Sequence, residues 1–161
     1  MTGVNEEGRN DGGSQGEFNP NIDPFLSNLV FIVELIATVR PEADITIPVT
    51  LTTGSAVITG DISSGRTWWP KFDDALQATW PGQNPSDETA DLISEVTANI
   101  HRVWQGVYLK SSPRELGQFS YFHLKNARYV TPILVPVPPS DGLLMRVRLE
   151  EVHSWSLGKL T

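Results

Sequence analysis

Cysteine is absent from the 161-residue chain. Disulfides, thiolate nucleophiles and cysteine-based zinc sites are therefore excluded. Long apolar runs are also missing. The longest, Leu29 to Ile36, is interrupted by Glu34 and falls well short of a bilayer span. Met1 to Pro20 shows no basic start followed by an apolar stretch, so no secretory signal peptide is expected. A cytoplasmic location without membrane insertion follows as the expectation. Basic charge is scarce, and the net charge of −7 disfavours a nucleic-acid or anionic-membrane surface. It is also uneven. Residues 23–101 hold eleven acids against three bases, whereas residues 102–161 hold eight bases against four acids. The plainer reading pairs these two halves across one fold; the sharper one makes the second half a basic partner-binding face.

What is present divides into a tail and one domain. Residues 1–22 are rich in Gly, Asn, Glu and Ser, with Phe18 the only aromatic, and are expected to be a disordered acidic tail. Residues 23–161 are expected to form a single domain. Asp23-Pro24 is a helix start, with Asp capping a free N–H and Pro at a position that needs no donor. Phe25, Leu26, Leu29, Ile32, Val33 and Ile36 follow at helical spacing up to Arg40-Pro41. Ile45, Ile47, Val49 and Leu51 then alternate with polar residues as a strand, and Pro48 marks it as an edge or bulged one. Gly54-Ser55 predicts a tight hairpin turn into a second strand, Ala56 to Ile62, where Gly60 signals a bulge.

Residues 66–117 interrupt the β pattern as a helical insertion. Lys71 to Thr79 predict a short helix, and residues 85–109 a longer one whose stripe runs Leu92, Val96, Ile100, Val103, Val107. Tyr121 to Val130, Leu143 to Glu150 and Val152 to Leu157 read as three further strands, and the proline-rich 132–140 as a loop or an extended segment without ladder donors. Five short, bent strands after one helix predict a mainly β, α+β fold: a small closed five-stranded barrel.

No chemical constellation is legible. His101, His123 and His153 lack metal-ligand spacing, Asp73-Asp74 and Glu150-Glu151 read as solvated surface, and no phosphate loop or nucleophile elbow occurs. Catalytic, cofactor and metal sites are accordingly not expected. Two features carry possible binding. Trp68, Trp69 and Phe72, with Trp80 following, concentrate aromatic rings suited to interface anchoring. The plainer alternative is that they cap the barrel beneath the insertion. Arg146 and Arg148 share one strand face, with Lys125 and Arg128 on the preceding strand; they would grip an acidic partner or simply pair with the acidic middle of the chain.

Three blocks together resemble the gas vesicle accessory protein U family. Thr50 to Gly60 (TLTTGSAVITG) resembles its LTVGG-x-x-ISG hairpin, Tyr121 to Arg128 (YFHLKNAR) its YIHLKDA strand, and Arg148 to Gly158 (RLEEVHSWSLG) its closing RISSVDGFSLG segment. Thr53 stands where the first glycine of the hairpin pattern is expected. The element order also resembles Sm-like barrels, although no Sm-type RNA signature is present. The first resemblance implies a non-enzymatic accessory protein that binds gas vesicle shell or other accessory proteins, and self-association is expected of such a barrel. The second implies an RNA-binding ring, which the net charge of −7 disfavours. An enzyme whose acids and histidines converge only in space is the third reading.

Overall fold

The computed structural model describes residues 21–79, 87–109, 119–131, 136–137 and 142–160. All but the last two residues of the expected tail, and Trp80, lie outside that set, while Ile22 packs against the core. The chain is α+β. Helix α1 (Pro24–Val39) begins as anticipated, with Asp23 Oδ1 accepting the backbone N–H groups of Phe25 and Leu26 at 2.8 and 3.0 Å. These two bonds satisfy donors that a helix start leaves free, and the Leu26 bond leads in holding the Asp23 carboxyl below its usual pKa. Strands β1 (Thr46–Thr53) and β2 (Ala56–Ser63) form a hairpin closed by the Thr53–Ala56 pair. Gly54 at φ 54° supplies the positive angle of the first turn position. Helix α2 (Gly65–Thr79) follows directly, six residues earlier than the sequence suggests, and runs through Pro70. Helix α3 (Asp87–Trp104) continues as a π-helical turn over Gln105–Leu109.

The remaining strands are β3 (Tyr121–Val130), β4 (Pro136–Val137), β5 (Leu143–Arg148) and β6 (Val152–Leu157), with a 3-10 turn at Leu149–Glu151 between the last two. The sheet is antiparallel in the order β4-β3-β2-β1-β6, and β5 pairs with the first part of β3 on the edge that β4 uses further along. The expected closed barrel is not formed; the sheet is open. No ladder joins β5 to β6 among the described residues. The reason is the short 3-10 turn between them. It redirects the chain instead of folding it into a hairpin, so β5 lies on β3 while β6 lies on β1.

Two local features shape this sheet. Between Thr59–Arg128 and Asp61–Lys125 the register slips by one residue, and the extra residue lies on β3. Asn126 there takes φ 52°, a conformation that Asn tolerates better than most residues. Gly60 and Gly142 lie against this bulge: a Cβ on Gly60 would stand 3.1 Å from the Ala127 Cα, and one on Gly142 only 2.3 Å from the Asn126 carbonyl carbon. The second feature concerns Pro48. Of the two expectations from that proline, an edge or a bulged strand, neither holds at Pro48: β1 is an inner strand, and its register with β2 runs unbroken through Pro48–Asp61. The backbone N and C=O of a strand residue face the same side. Pro48 O accepts Gly158 N at 2.8 Å, so the missing N–H faces the β6 side beyond the last β1–β6 pair, Val49–Leu157.

The core lies between α1 and the sheet. Leu26, Val30 and Val33 of α1 pack on Val49, Leu51, Ile62, Phe122 and Leu124, all nearly inaccessible to solvent. Each such side chain contributes about 1.5–3 kcal/mol by leaving water. Gly142→Ala should cost about 2–3 kcal/mol in urea unfolding, because the added methyl meets backbone that cannot yield. Asn126→Gly keeps the φ but removes the 2.8 Å bond from Asn126 Nδ2 to Asp61 Oδ2, and should cost about 1–2 kcal/mol, less than Gly142→Ala.

Candidate functional site

Helix α2 is fixed at its first turn. Ser64 Oγ accepts Thr67 N at 3.2 Å as the N-terminal cap. The Gly65 N–H donates to Glu34 Oε1 at 2.7 Å, which ties α2 to the middle of α1. Glu34 is 2% exposed, and burial raises its pKa to about 7 against the opposing effects of the Gly65 N–H and Arg66. Gly65 is required sterically as well: a Cβ there would lie 2.3 Å from the Tyr108 ring. Tyr108, on the π-helical turn after α3, hydrogen-bonds its hydroxyl to His123 Nε2 at 3.1 Å. Burial, with Glu34 nearby, pushes the phenol up to about 12. Burial, with Arg146 nearby, pushes the His123 imidazole down to about 3. Both shifts lead away from neutrality, so neither group is poised to exchange a proton near pH 7.

An aromatic groove of about 510 Å³ opens beside this column. Trp68 stacks on Phe72 at 4.8 Å between ring centres, and Trp69 stacks on Trp104 at 6.1 Å. Trp68 is anchored, since its Nε1 donates to Leu124 O at 3.0 Å. Ile100, Val103 and Leu144 complete the apolar wall, while His123 and Arg146 add polar groups.

The residues singled out in the sequence separate here. Trp68, Trp69 and Phe72 line one groove together with Arg146. Trp68 is buried, whereas Trp69 is only half-buried. Trp80 lies outside the described residues. Arg146 and Arg148 both lie over the Tyr121 ring, at 4.0 and 5.8 Å. Arg148 is paired with Glu150 and stands 3.9 Å from Glu151, whereas Arg146 makes no ion pair among the described residues. The partners of Arg148 are thus its immediate neighbours and not the acidic middle of the chain. Lys125 leaves that face altogether, buried against Asp44 and Thr67. His123 is buried, and only one of its ring nitrogens is hydrogen-bonded.

The α3 stripe also departs from expectation. Leu92, Val96 and Val103 share one helical face but are 61%, 37% and 68% exposed. Helix α3 is held at its C-terminal end, where Trp104 and Tyr108 are buried. Sequence reasoning passed over Glu34 and Tyr108. The available signal for Glu34 was a lone acid inside the most apolar helical stretch; nothing in the local pattern marked Tyr108.

These features define an α+β protein with an aromatic groove and an exposed apolar helix face. Among the described residues no group of three metal-ligating side chains assembles, and no helix is long and apolar enough to cross a membrane. A family model described as gas vesicle protein GvpU-like matches residues 29–160, and the chain belongs to that family. No curated protein and no solved structure matches it.

The two buried ionisable groups make a pH prediction. Glu34, raised from 4.5 to about 7, withdraws stability as pH rises between those values. His123, lowered from 6.5 to about 3, withdraws stability as pH falls between them. From pH ~5 to ~6 the two oppose each other at about 1.4 kcal/mol per pH unit and should nearly cancel. Glu34→Gln should unmask the histidine, so that unfolding free energy from urea titrations rises with pH by about 1.4 kcal/mol per unit across this window. A flat profile in the variant would contradict a buried neutral His123.

Proposed function

We propose that this chain is a non-enzymatic gas vesicle accessory protein that binds shell components or vesicle surfaces, assisting assembly or controlling vesicle association. Its place is the cytoplasm, where vesicle proteins are its partners and self-association is expected. The supporting observation is the exposed apolar face of α3, Leu92, Val96 and Val103, on a chain of a gas vesicle family. Such a face has no stabilising role inside the described fold, and exposed apolar patches mark interaction surfaces. A helix presenting residues at this spacing suits docking against an apolar partner. Trp69 at the neighbouring groove and Arg146 on β5 extend the surface, and Trp68 and Phe72 stack within the same groove; Arg148 lies outside its lining, paired with Glu150.

Cosedimentation with purified gas vesicles tests this reading. The wild-type chain should pellet with vesicles. The double substitution Leu92→Ser with Val103→Ser should lower apparent affinity about tenfold or more, the loss of one to two interface anchors. Its thermal unfolding should stay close to wild type, because both side chains are exposed in the isolated protein. Equal retention of wild type and variant, or no retention of wild type, would reject the α3 face as the contact.

A further inference from the structure

A strand at the edge of an open sheet leaves one row of backbone N–H and C=O groups without a ladder partner. Strand β6 is such an edge, since among the described residues it pairs with β1 alone. The register decides which groups are left over. Gly158 N donates to Pro48 O, so Gly158 turns its hydrogen-bonding groups towards β1, and by alternation so do Ser156 and Ser154. Trp155 and Leu157 therefore aim their N–H and C=O groups outward. The regular stretch stops on both sides of them. Towards its start, Val152 opposes Thr53 and Ser154 opposes Thr52, which leaves His153 as the extra residue of a bulge. Towards its end, Gly158 at φ 95° turns the chain back over the sheet, where Leu160 N reaches Thr59 Oγ1 and Lys159 reaches Asp61. Both partners lie on β2, so residues 158–160 lead away from the edge. The edge also lacks the usual guard of charged side chains. Residues 152–158 include no Asp, Glu, Lys or Arg, whereas β5, on the far side of the sheet, carries Arg146 and Arg148. Ser154, Ser156 and Leu157 are exposed, Leu157 at 66%. Trp155 points to the same face as Leu157 and is half-buried against the core.

We propose that two copies of this chain pair through the open edge of β6, antiparallel, with the two-fold axis at Ser156. The pairing rests on the self-association in the proposed function and gives it a surface; it needs neither vesicles nor the α3 face. A second copy is the occupant because the edge is its own complement. An axis at Ser156 sets Trp155 of each protomer opposite Leu157 of its partner, so every outward donor meets an outward acceptor. Each exposed Leu157 then lies beside a half-buried Trp155 of the partner, an apolar cross-strand pair. An axis at Trp155 would instead set Leu157 against the bulge at His153 and leave its groups poorly matched. Charge selects the same strip. Each copy carries −7, and β6 lets two copies meet where neither presents an ionised side chain. The regular stretch is short, so the contact buries less than the ~1,200 Å² at which stable complexes begin. The dimer is accordingly weak and reversible, with Kd on the order of 100 µM.

The test is sedimentation velocity of the full chain from about 5 to 500 µM, with cross-linking to report position. Wild type should pass from monomer to dimer across this range. Leu157→Lys sets an ammonium group into each half of the contact, and Leu157→Pro removes only an outward donor. Each should weaken the dimer about tenfold or more, with thermal unfolding at low concentration close to wild type. Ser156→Cys, in a chain with no other cysteine, should join two copies by a disulfide in oxidised glutathione. The Cα atoms of such a non-hydrogen-bonded pair stand about 4.5 Å apart, within disulfide reach. Ser154→Cys, set opposite Gly158 of the partner, should stay uncoupled. A monomer throughout the range overturns the proposal together with self-association, while leaving cosedimentation with vesicles untouched. Assemblies larger than a dimer, dimers that persist in both Leu157 variants, or equal cross-linking at 154 and 156 overturn the β6 edge alone. So does a dimer lost in Leu92→Ser with Val103→Ser but kept in Leu157→Lys, which would move self-association to α3.

Discussion

Asn126 stands in the left-handed region midway along β3, and the course of the sheet depends on that one residue. It inserts an extra position opposite β2 and shifts the register against β5 at the same place. A strand that bends there can lend one edge first to β5 and then to β4 while keeping β2 on the other. The bend is possible because Gly60 and Gly142 bring bare backbone against the bulge from either side. Everything N-terminal to it on β3, including the pairing of His123 with Arg146 and of Tyr121 with Arg148, is set by that registration.

The second organising contact is electrostatic, and its energetics are mixed. A helix N-terminus favours a nearby carboxylate by about 0.3–1 kcal/mol at the surface and up to about 2 kcal/mol when partly buried. Removing that carboxylate from water costs several kcal/mol. The second quantity is the larger, which is why Glu34 holds its proton up to about pH 7 despite the Gly65 N–H. Its contribution is positional. The bond fixes where α2 begins on α1, Gly65 then admits the Tyr108 ring, and Tyr108 in turn holds His123. One buried acid thus orders a column that reaches from α1 to the floor of the groove.

The two halves of the molecule are built differently. The sheet and α1 form a densely packed body with paired strands on both sides of β2. Helix α3 is attached at one end and leaves apolar side chains in solvent. Contact elements with few buried neighbours open at lower free energy than core strands, which suits a surface that must accommodate a large partner. A firm sheet thus carries an apolar helix face exposed to solvent.

The sequence by itself determined what depends on short-range chemistry. The Asp23-Pro24 cap, the Gly54-Ser55 hairpin, the alternation of β1, the break near Glu151 and the family blocks are all readable because each is decided within a few residues. Gly60 was legible as a bulge signal, but its partners at Asn126 and Gly142 lie far along the chain. Only the tertiary structure decided that the sheet stays open, that α2 starts at Gly65, and that the α3 stripe faces solvent. The groove belongs to the same class, since it joins Trp69, Trp104, His123 and Arg146 from four separate elements. Periodicity shows that a residue has an apolar neighbour on one side; it carries no information about which distant element provides it. Burial of Glu34, Tyr108 and His123 arises from just such distant packing, and so their shifted charges were settled by the fold.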